Sequence, residues 1–407
     1  MKPISGELQR YIHKYYKIAY ENVCQHTRFS QVQKKFINDL HQDIMEGHLA
    51  WFQHIKVGAK TMDDAKQSAH YSYIPDEFRS MVENLLVHQK TYDFSIGDRK
   101  FSVVFYADAE KSFAGTKWLK CLQKIYIWLH VASKYAASHC SRDLVIYMYL
   151  THAKKTLPAE NVTIGRSHAN TAFTTACTAS TEIHIYREEE WYKVFIHESF
   201  HSLGLDFATM PTGLERKINQ LYGLGAHVND IRLYESYTEV WAELIHTCMI
   251  VHYQMIYYKG EENAHTLGHF AEKVRDALCY EITFSMIQCT KVLSHYGLCY
   301  RDLCASPRSG VADQYREATP VFSYYVVKSL LLFFANDFIE WNVIHNHGSF
   351  DFTKTDRNIQ AYITFIDQHR TNANYCRIMS MMDNLYRNCK RVQSTGSTTM
   401  RMTLFED

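Results

Sequence analysis

Helix breakers are scarce along this chain, with six prolines and 16 glycines in 407 residues. Proline costs about 3 kcal/mol and glycine about 1 kcal/mol in a helix interior, so stretches free of both can run as long helices. A β-rich fold would need a turn signal roughly every 8–12 residues instead. Helical periodicity fills these stretches. Residues 5–90 read as helices from "YIHKYYKIAYENVC" and "FINDLHQDIMEGHLAWF", and "TKWLKCLQKIYIWLHVASKYAAS" (116–138) reads as one long amphipathic helix. From about 230 onward the pattern is helical, apart from a loop at 299–315 and a polar stretch around 345–355.

Strand signals gather in one region. "TYDFSIGDRKFSVVFY" (91–106) reads as a hairpin about Ile96-Gly97-Asp98-Arg99, and "DLVIYMYLT" (143–151) as a buried strand. "NTAFTTACTASTEIHIYR" (170–187) reads as a strand pair ending in "TEIHIY", which is expected to be an edge strand. The expected fold class is α+β and predominantly helical: a small mixed sheet, an active-site helix beneath it and a helical C-terminal lobe. The expected organisation is an N-terminal helical region (1–90), a core (91–250), a C-terminal lobe (251–395) and a flexible tail (396–407).

Charge and cysteine usage narrow the function classes. A net charge of +1 provides no field to attract nucleic acid or an anionic membrane, so neither partner is expected. The longest apolar run, "VVKSLLLFFANDFI" (326–339), is interrupted by Lys328 and Asp337 and is too short to span a bilayer. Eleven scattered cysteines without a C-x-x-C read as free thiols of a reducing compartment, Cys177 among them as an inert thiol. The N-terminus "MKPISGELQRYIHKYY" carries no apolar signal segment, so an intracellular location is expected.

The stretch "WYKVFIHESFHSLGLD" (191–206) holds His197, Glu198 and His201 in the order H-E-x-x-H. Residues four apart share a helix face, so both imidazoles can address one metal ion, with Glu198 turned about 100° to its side. Two imidazole ligands, an open position for water and a carboxylate to take that water's proton form the constellation of a zinc hydrolase. In a chain with 23 histidines the pattern can also arise by composition, so its context carries the argument. The helix is expected over 188–205, with Glu188, Glu189 and Glu190 at its positive end and Gly204 as its stop. Downstream, "YESYTEVWAELIH" (234–246) sets Glu235, Glu239 and Glu243 on one helical face amid apolar residues, where three carboxylates call for a cation.

At these residues the chain resembles the zincin metallopeptidases, in particular the glutamate-liganded gluzincins, over about 91–250. "EVWAE" (239–243) looks like their E-x-x-A-[DE] segment, which implies Glu239 as third zinc ligand and Glu243 as the carboxylate orienting the ligands. The alternative register, "ESYTE" (235–239), makes Glu235 the ligand and Glu239 the orienting residue; Ala242 as the small residue favours the former. The metzincin pattern fails because its third-ligand position is Phe207, with Asp206 one residue early. "EEEWYKVFIHESFHSLGLDF", "YREATPVFSYYVVKS" and "MRMTLF" also look like an uncharacterised metallopeptidase family of nucleocytoplasmic large DNA viruses. That likeness implies a viral protein of the infected-cell cytoplasm, with the virion as a second expected location.

The resemblance implies one Zn2+ per chain, bound by His197, His201 and Glu239, and hydrolysis of peptide bonds in a protein or peptide substrate, with Glu198 as general base. The alternative is a catalytically silent zincin-fold structural or virion interaction protein. An oxyanion donor is sought among Tyr234, Tyr237, His227, Tyr324 and Tyr325. Tyr324 is taken as the catalytic candidate because "FSYY" opens a predicted helix. Asn170 is read as a cleft or turn residue, and His184 as a face-alternating strand residue rather than a ligand.

Overall fold

Alternation along the central strands explains how the sheet is buried on both sides. The computed structural model describes residues 3–54, 58–62, 68, 70–210, 215–225, 228, 231–259, 267–304, 310–389, 392 and 394–406. Its strands are β1 (Gly58–Met62), β2 (His88–Ile96), β3 (Arg99–Ala107), β4 (Asp143–Thr151), β5 (Ala172–Thr174) and β6 (Ser180–Arg187), in the spatial order β1-β2-β3-β4-β6-β5. On β3, Phe101, Val103 and Phe105 enter the main core, while Val104 and Tyr106 face a smaller cluster. On β6, Ile183 and Ile185 enter the main core and Tyr186 the smaller one. Side chains two apart share a face and neighbours oppose, so each strand feeds both cores.

The expected hairpin is present: β2 and β3 pair antiparallel about Gly97-Asp98, where Gly97 has φ +56°. β3, β4 and β6 run parallel, which requires crossover connections. β5 pairs antiparallel with β6 and forms the edge. The edge is therefore not "TEIHIY" itself but the three-residue strand beside it, too short to carry an alternation signal.

The helices are α1 (Pro3–Tyr15), α2 (Lys17–His26), α3 (Gln31–His54), α4 (Asp76–Glu83), α5 (Lys117–Ser133), α6 (Arg166–Ala169), α7 (Trp191–Leu203) and α8 (Glu215–Tyr222). They continue as α9 (Leu233–Lys259), α10 (Leu267–His295), α11 (Tyr300–Cys304), α12 (Lys328–Phe333), α13 (Ala335–His345), α14 (Asp356–Arg370), α15 (Ala373–Cys389) and α16 (Thr395–Thr398). The fold is α+β and predominantly helical, and no single helix is long and apolar enough to cross a membrane. The region expected to be helical up to residue 90 also supplies β1 and the start of β2.

One apolar cluster runs from Leu8 in α1 to Phe405 beyond α16, so the four expected segments share a core. The tail is the largest departure from expectation. Met400, Arg401, Thr403 and Leu404 are fully buried, and residues 400–406 form a strap through the interior. Glu190 Oε1 accepts from the backbone N–H of Met402 and Thr403 at 2.6 Å each. Glu281 accepts from Thr403 Oγ1 and from the N–H groups of Leu404 and Phe405. The alternation of Met400, Met402 and Leu404 is an apolar strand-like signal inside a stretch whose composition otherwise reads as polar.

Candidate metal centre

Helix α7 is held from both ends. It begins at Trp191, later than expected, because Glu190 takes a left-handed conformation (φ +60°). The Glu190 carboxylate then faces the strap and Lys155 rather than the helix dipole. Burial would push the Glu190 pKa up, but Lys155, Arg401 and Lys193 outweigh it and bring it down to about 2. At the other end Gly204 caps the helix with φ +67°, as expected, and a Cβ there would lie 2.7 Å from Cys140 Sγ. Cys140 and Cys177 form a disulfide against this turn, so Cys177 is not the free thiol expected. The flank is locked by Trp128 of α5, whose Nε1 donates to Ser199 Oγ at 2.6 Å and whose ring stacks on Phe200.

Three donor atoms converge where α7 crosses α9. His197 Nε2 lies 3.1 Å from His201 Nε2 and 3.1 Å from Glu235 Oε2, and His201 Nε2 lies 3.3 Å from the same oxygen. Ligands at 2.0–2.1 Å around a tetrahedral zinc are separated by about 3.3 Å, so the triangle matches one ion's first shell. Glu239 does not join it. Its carboxylate pairs with the opposite nitrogen, His197 Nδ1, at 2.8 Å, and accepts from buried Lys193. The register in which Glu235 meets the donor atoms and Glu239 orients His197 is thus the one the fold builds, and the expectation for Glu239 as ligand is corrected accordingly. Both glutamates lie on the same face of α9, and only the level at which α7 crosses decides between them.

The orienting role expected of Glu243 falls elsewhere too: Glu243 accepts from Lys328 Nζ at 2.7 Å, one step behind Glu239. Asp206 takes the matching place for the second imidazole, pairing with His201 Nδ1 while Thr238 Oγ1 donates to it at 3.2 Å. Each imidazole therefore has a carboxylate on its far nitrogen, which fixes ring orientation and raises ligand basicity. Sequence reasoning set Asp206 aside as a ligand and missed this role. The available signal was an acid two residues past the capping glycine, where the chain turns back under the helix.

Charge balance points the same way. Glu198, Asp206, Glu235, Glu239 and Glu243 are all buried, against the two buried ammonium groups of Lys193 and Lys328. Such an anionic surplus is costly in a low-dielectric interior, and a divalent cation offsets it. Burial resists the imidazolium of His201, yet Asp206 and Glu235 hold its pKa well above the usual range. Burial also resists ionisation of Glu235, but His201 and His197 bring its pKa well below the ordinary carboxylate value. Glu198 moves the other way: burial raises its pKa more than the neighbouring histidines lower it.

A cleft of about 410 Å³ opens onto this cluster, lined by His197, Glu198, His201 and Glu235 on one side and by Ala172, Phe173 and Thr174 of β5 on another. Tyr324 closes it, its ring 5.9 Å from that of His197. It sits on a π-helical turn, Phe322–Val327, a local widening that recurs at functional sites. Burial first, then the carboxylates of Glu235, Glu198 and Glu239, hold its hydroxyl well above the usual pKa, so it remains a proton donor. Tyr325 instead donates to Met400 O in the strap, and Tyr237 to Phe350 O, so neither faces the cluster. Tyr234 lines the cleft beside His201, and His227 lies outside the described residues. Asn170 also lines the cleft, where it accepts from Thr319 Oγ1. Comparisons of the chain with protein-family models, with curated proteins and with solved structures give no match.

Proposed function

We propose that this protein is a zinc-dependent metallopeptidase that hydrolyses peptide bonds of a protein or peptide segment bound in extended form. The observation that carries the reading is the triangle of His197 Nε2, His201 Nε2 and Glu235 Oε2, with Glu198 and Tyr324 lining the same cleft. When bound by these three residues, zinc supplies Lewis acidity that brings the pKa of water toward neutrality. Glu198 accepts the proton of the attacking water and returns it to the leaving amine, a role suited to a carboxylate whose pKa burial has raised. Tyr324 donates a hydrogen bond to the oxyanion that develops on the scissile carbonyl. Glu239 and Asp206 hold the two imidazoles in register and keep their cleft-facing nitrogens directed at one point.

The substrate class follows from the edge strand. Thr171 O accepts from Tyr186 N and Thr175 N donates to Glu182 O, so by antiparallel alternation Ala172 and Thr174 turn their backbone groups away from β6. Both residues line the cleft, which suits strand addition by an extended peptide. The test is a peptide-library cleavage screen on zinc-loaded protein beside Glu198→Gln, which keeps all three donor groups. Cleavage by the parent and not by Glu198→Gln is expected. A zinc-loaded parent that cleaves nothing Glu198→Gln does not would sink the reading in favour of a non-catalytic scaffold.

A further inference from the structure

A second convergence of metal-binding side chains lies on the opposite sheet face from Ile183 and Ile185. Glu182 and His184 are two apart on β6 and so project to one side. His184 Nε2 and His70 Nδ1 each lie 2.9 Å from the same atom, Glu182 Oε2, and the three donors fall within 4.8 Å of one another. We propose that His70, Glu182 and His184 form a site for a divalent transition metal, which fastens the segment carrying His70, Tyr73 and Pro75 to the sheet and thereby builds one wall of the cleft.

The donors are prepared for that task. His184 is fully buried, and its ring is sandwiched between Phe173 at 4.5 Å and 7° and Tyr147 at 4.6 Å and 24°. The Tyr149 hydroxyl lies 3.3 Å from its far nitrogen, Nδ1. A hydroxyl can accept as well as donate, so it can hold the tautomer that leaves Nε2 a lone pair for a metal. Two imidazoles and one carboxylate suit zinc, with copper(II) and nickel(II) as competitors. Glu182 keeps 23% of its side-chain surface exposed, so ion and water can enter.

The link to the cleft is direct. Tyr73, stacked on His70, and Phe173, stacked on His184, touch each other edge to face at 5.8 Å, and both line the cleft with Pro75. The strand histidine read from sequence as a face-alternating side chain thus gains a ligand's role. The spacing that defines the set joins β6 to a residue more than 110 positions earlier, and no local motif expresses it.

The test counts zinc in full-length protein. The chain is stripped with a chelator and dialysed against excess Zn2+, and its metal is measured per chain by mass spectrometry. Two equivalents are expected. His70→Ala and near-isosteric Glu182→Gln should each lose one, whereas Glu235→Gln should lose the other. In the parent and in Glu235→Gln, zinc should also slow amide exchange around Tyr73, an effect absent from His70→Ala. If His70→Ala and Glu182→Gln hold as much zinc as the parent, the second site is overturned. A loss confined to Glu235→Gln would leave the metallopeptidase reading intact.

Discussion

Replacing Glu235 and Glu239 separately with glutamine should split metal affinity from stability. At hydrogen-bond range Glu235 Oε2 meets the imidazoles of His197 and His201, which can release a proton when their partner is neutralised. Glu239 accepts from Lys193 Nζ and lies 3.5 Å from Lys328 Nζ, both ammonium groups being buried. Lys328 keeps Glu243 at 2.7 Å, but Lys193 would be left with a neutral amide oxygen and the Met402 thioether in place of a carboxylate. Removing one partner of a buried pair costs about 3–5 kcal/mol, and the lower end applies because one of the two lysines retains a carboxylate. An orienting partner of a ligand is worth roughly 10–100-fold in metal affinity, about 1.4–2.8 kcal/mol. Glu239→Gln should therefore lower metal-free stability by about 3 kcal/mol and weaken zinc by no more than about two decades. Glu235→Gln should lose the zinc held between His197 and His201, with a much smaller change in stability. Urea unfolding in the presence of a chelator gives the first quantity, and zinc competition against a chromophoric chelator gives the second. Glu239→Gln without zinc but with parental stability, beside a Glu235→Gln that still binds tightly, would refute the assignment of both residues.

Tyr324→Phe should retain zinc and KM while kcat falls by roughly 10²–10³, the worth of one oxyanion donor; a parental kcat would remove Tyr324 from the mechanism. Glu190 has its folded pKa lowered to about 2 from the ordinary 4.5, so the stability it contributes is present above about pH 4.5 and is lost as pH falls toward 2. Amide exchange of Met402 and Thr403 should accelerate over that window, and a Glu190→Gln variant should lack the transition. Cys140→Ser opens a cross-link spanning 37 residues, and should cost about 3–4 kcal/mol by the loop-entropy relation, read as a lower urea midpoint under non-reducing conditions.

Local chemistry made part of this molecule legible in advance. The hairpin about Gly97, the strand 143–151, helix α5 and the Gly204 stop each rest on a short stretch of periodicity or a single special residue. His197, Glu198 and His201 share one helix, so their mutual geometry is fixed by the helical repeat alone. What the residues did not reveal lies between elements. Glu235 and Glu239 are equivalent by spacing, and the choice depends on the height at which α7 crosses α9. Asp206, the Cys140–Cys177 cross-link and the His70–Glu182–His184 set each join residues that no periodic pattern relates. The strap was misread because its polar composition outweighed the alternation of Met400, Met402 and Leu404.

The strap also sets an order of events. Its contacts reach from Met402 and Thr403 back to Glu190, across 212 and 213 positions, and from Lys328 to Met402 O. Lys328 and Glu190 lie against the charges that surround Glu239, so the buried lattice behind His197 cannot close until residue 403 has been synthesised and docked. Joining segments so distant carries a large loop-closure cost before any contact repays it. A nascent chain would thus carry the whole H-E-x-x-H helix long before it could hold that helix in working order. The cleft would mature only after the strap had docked, however early the helix itself formed.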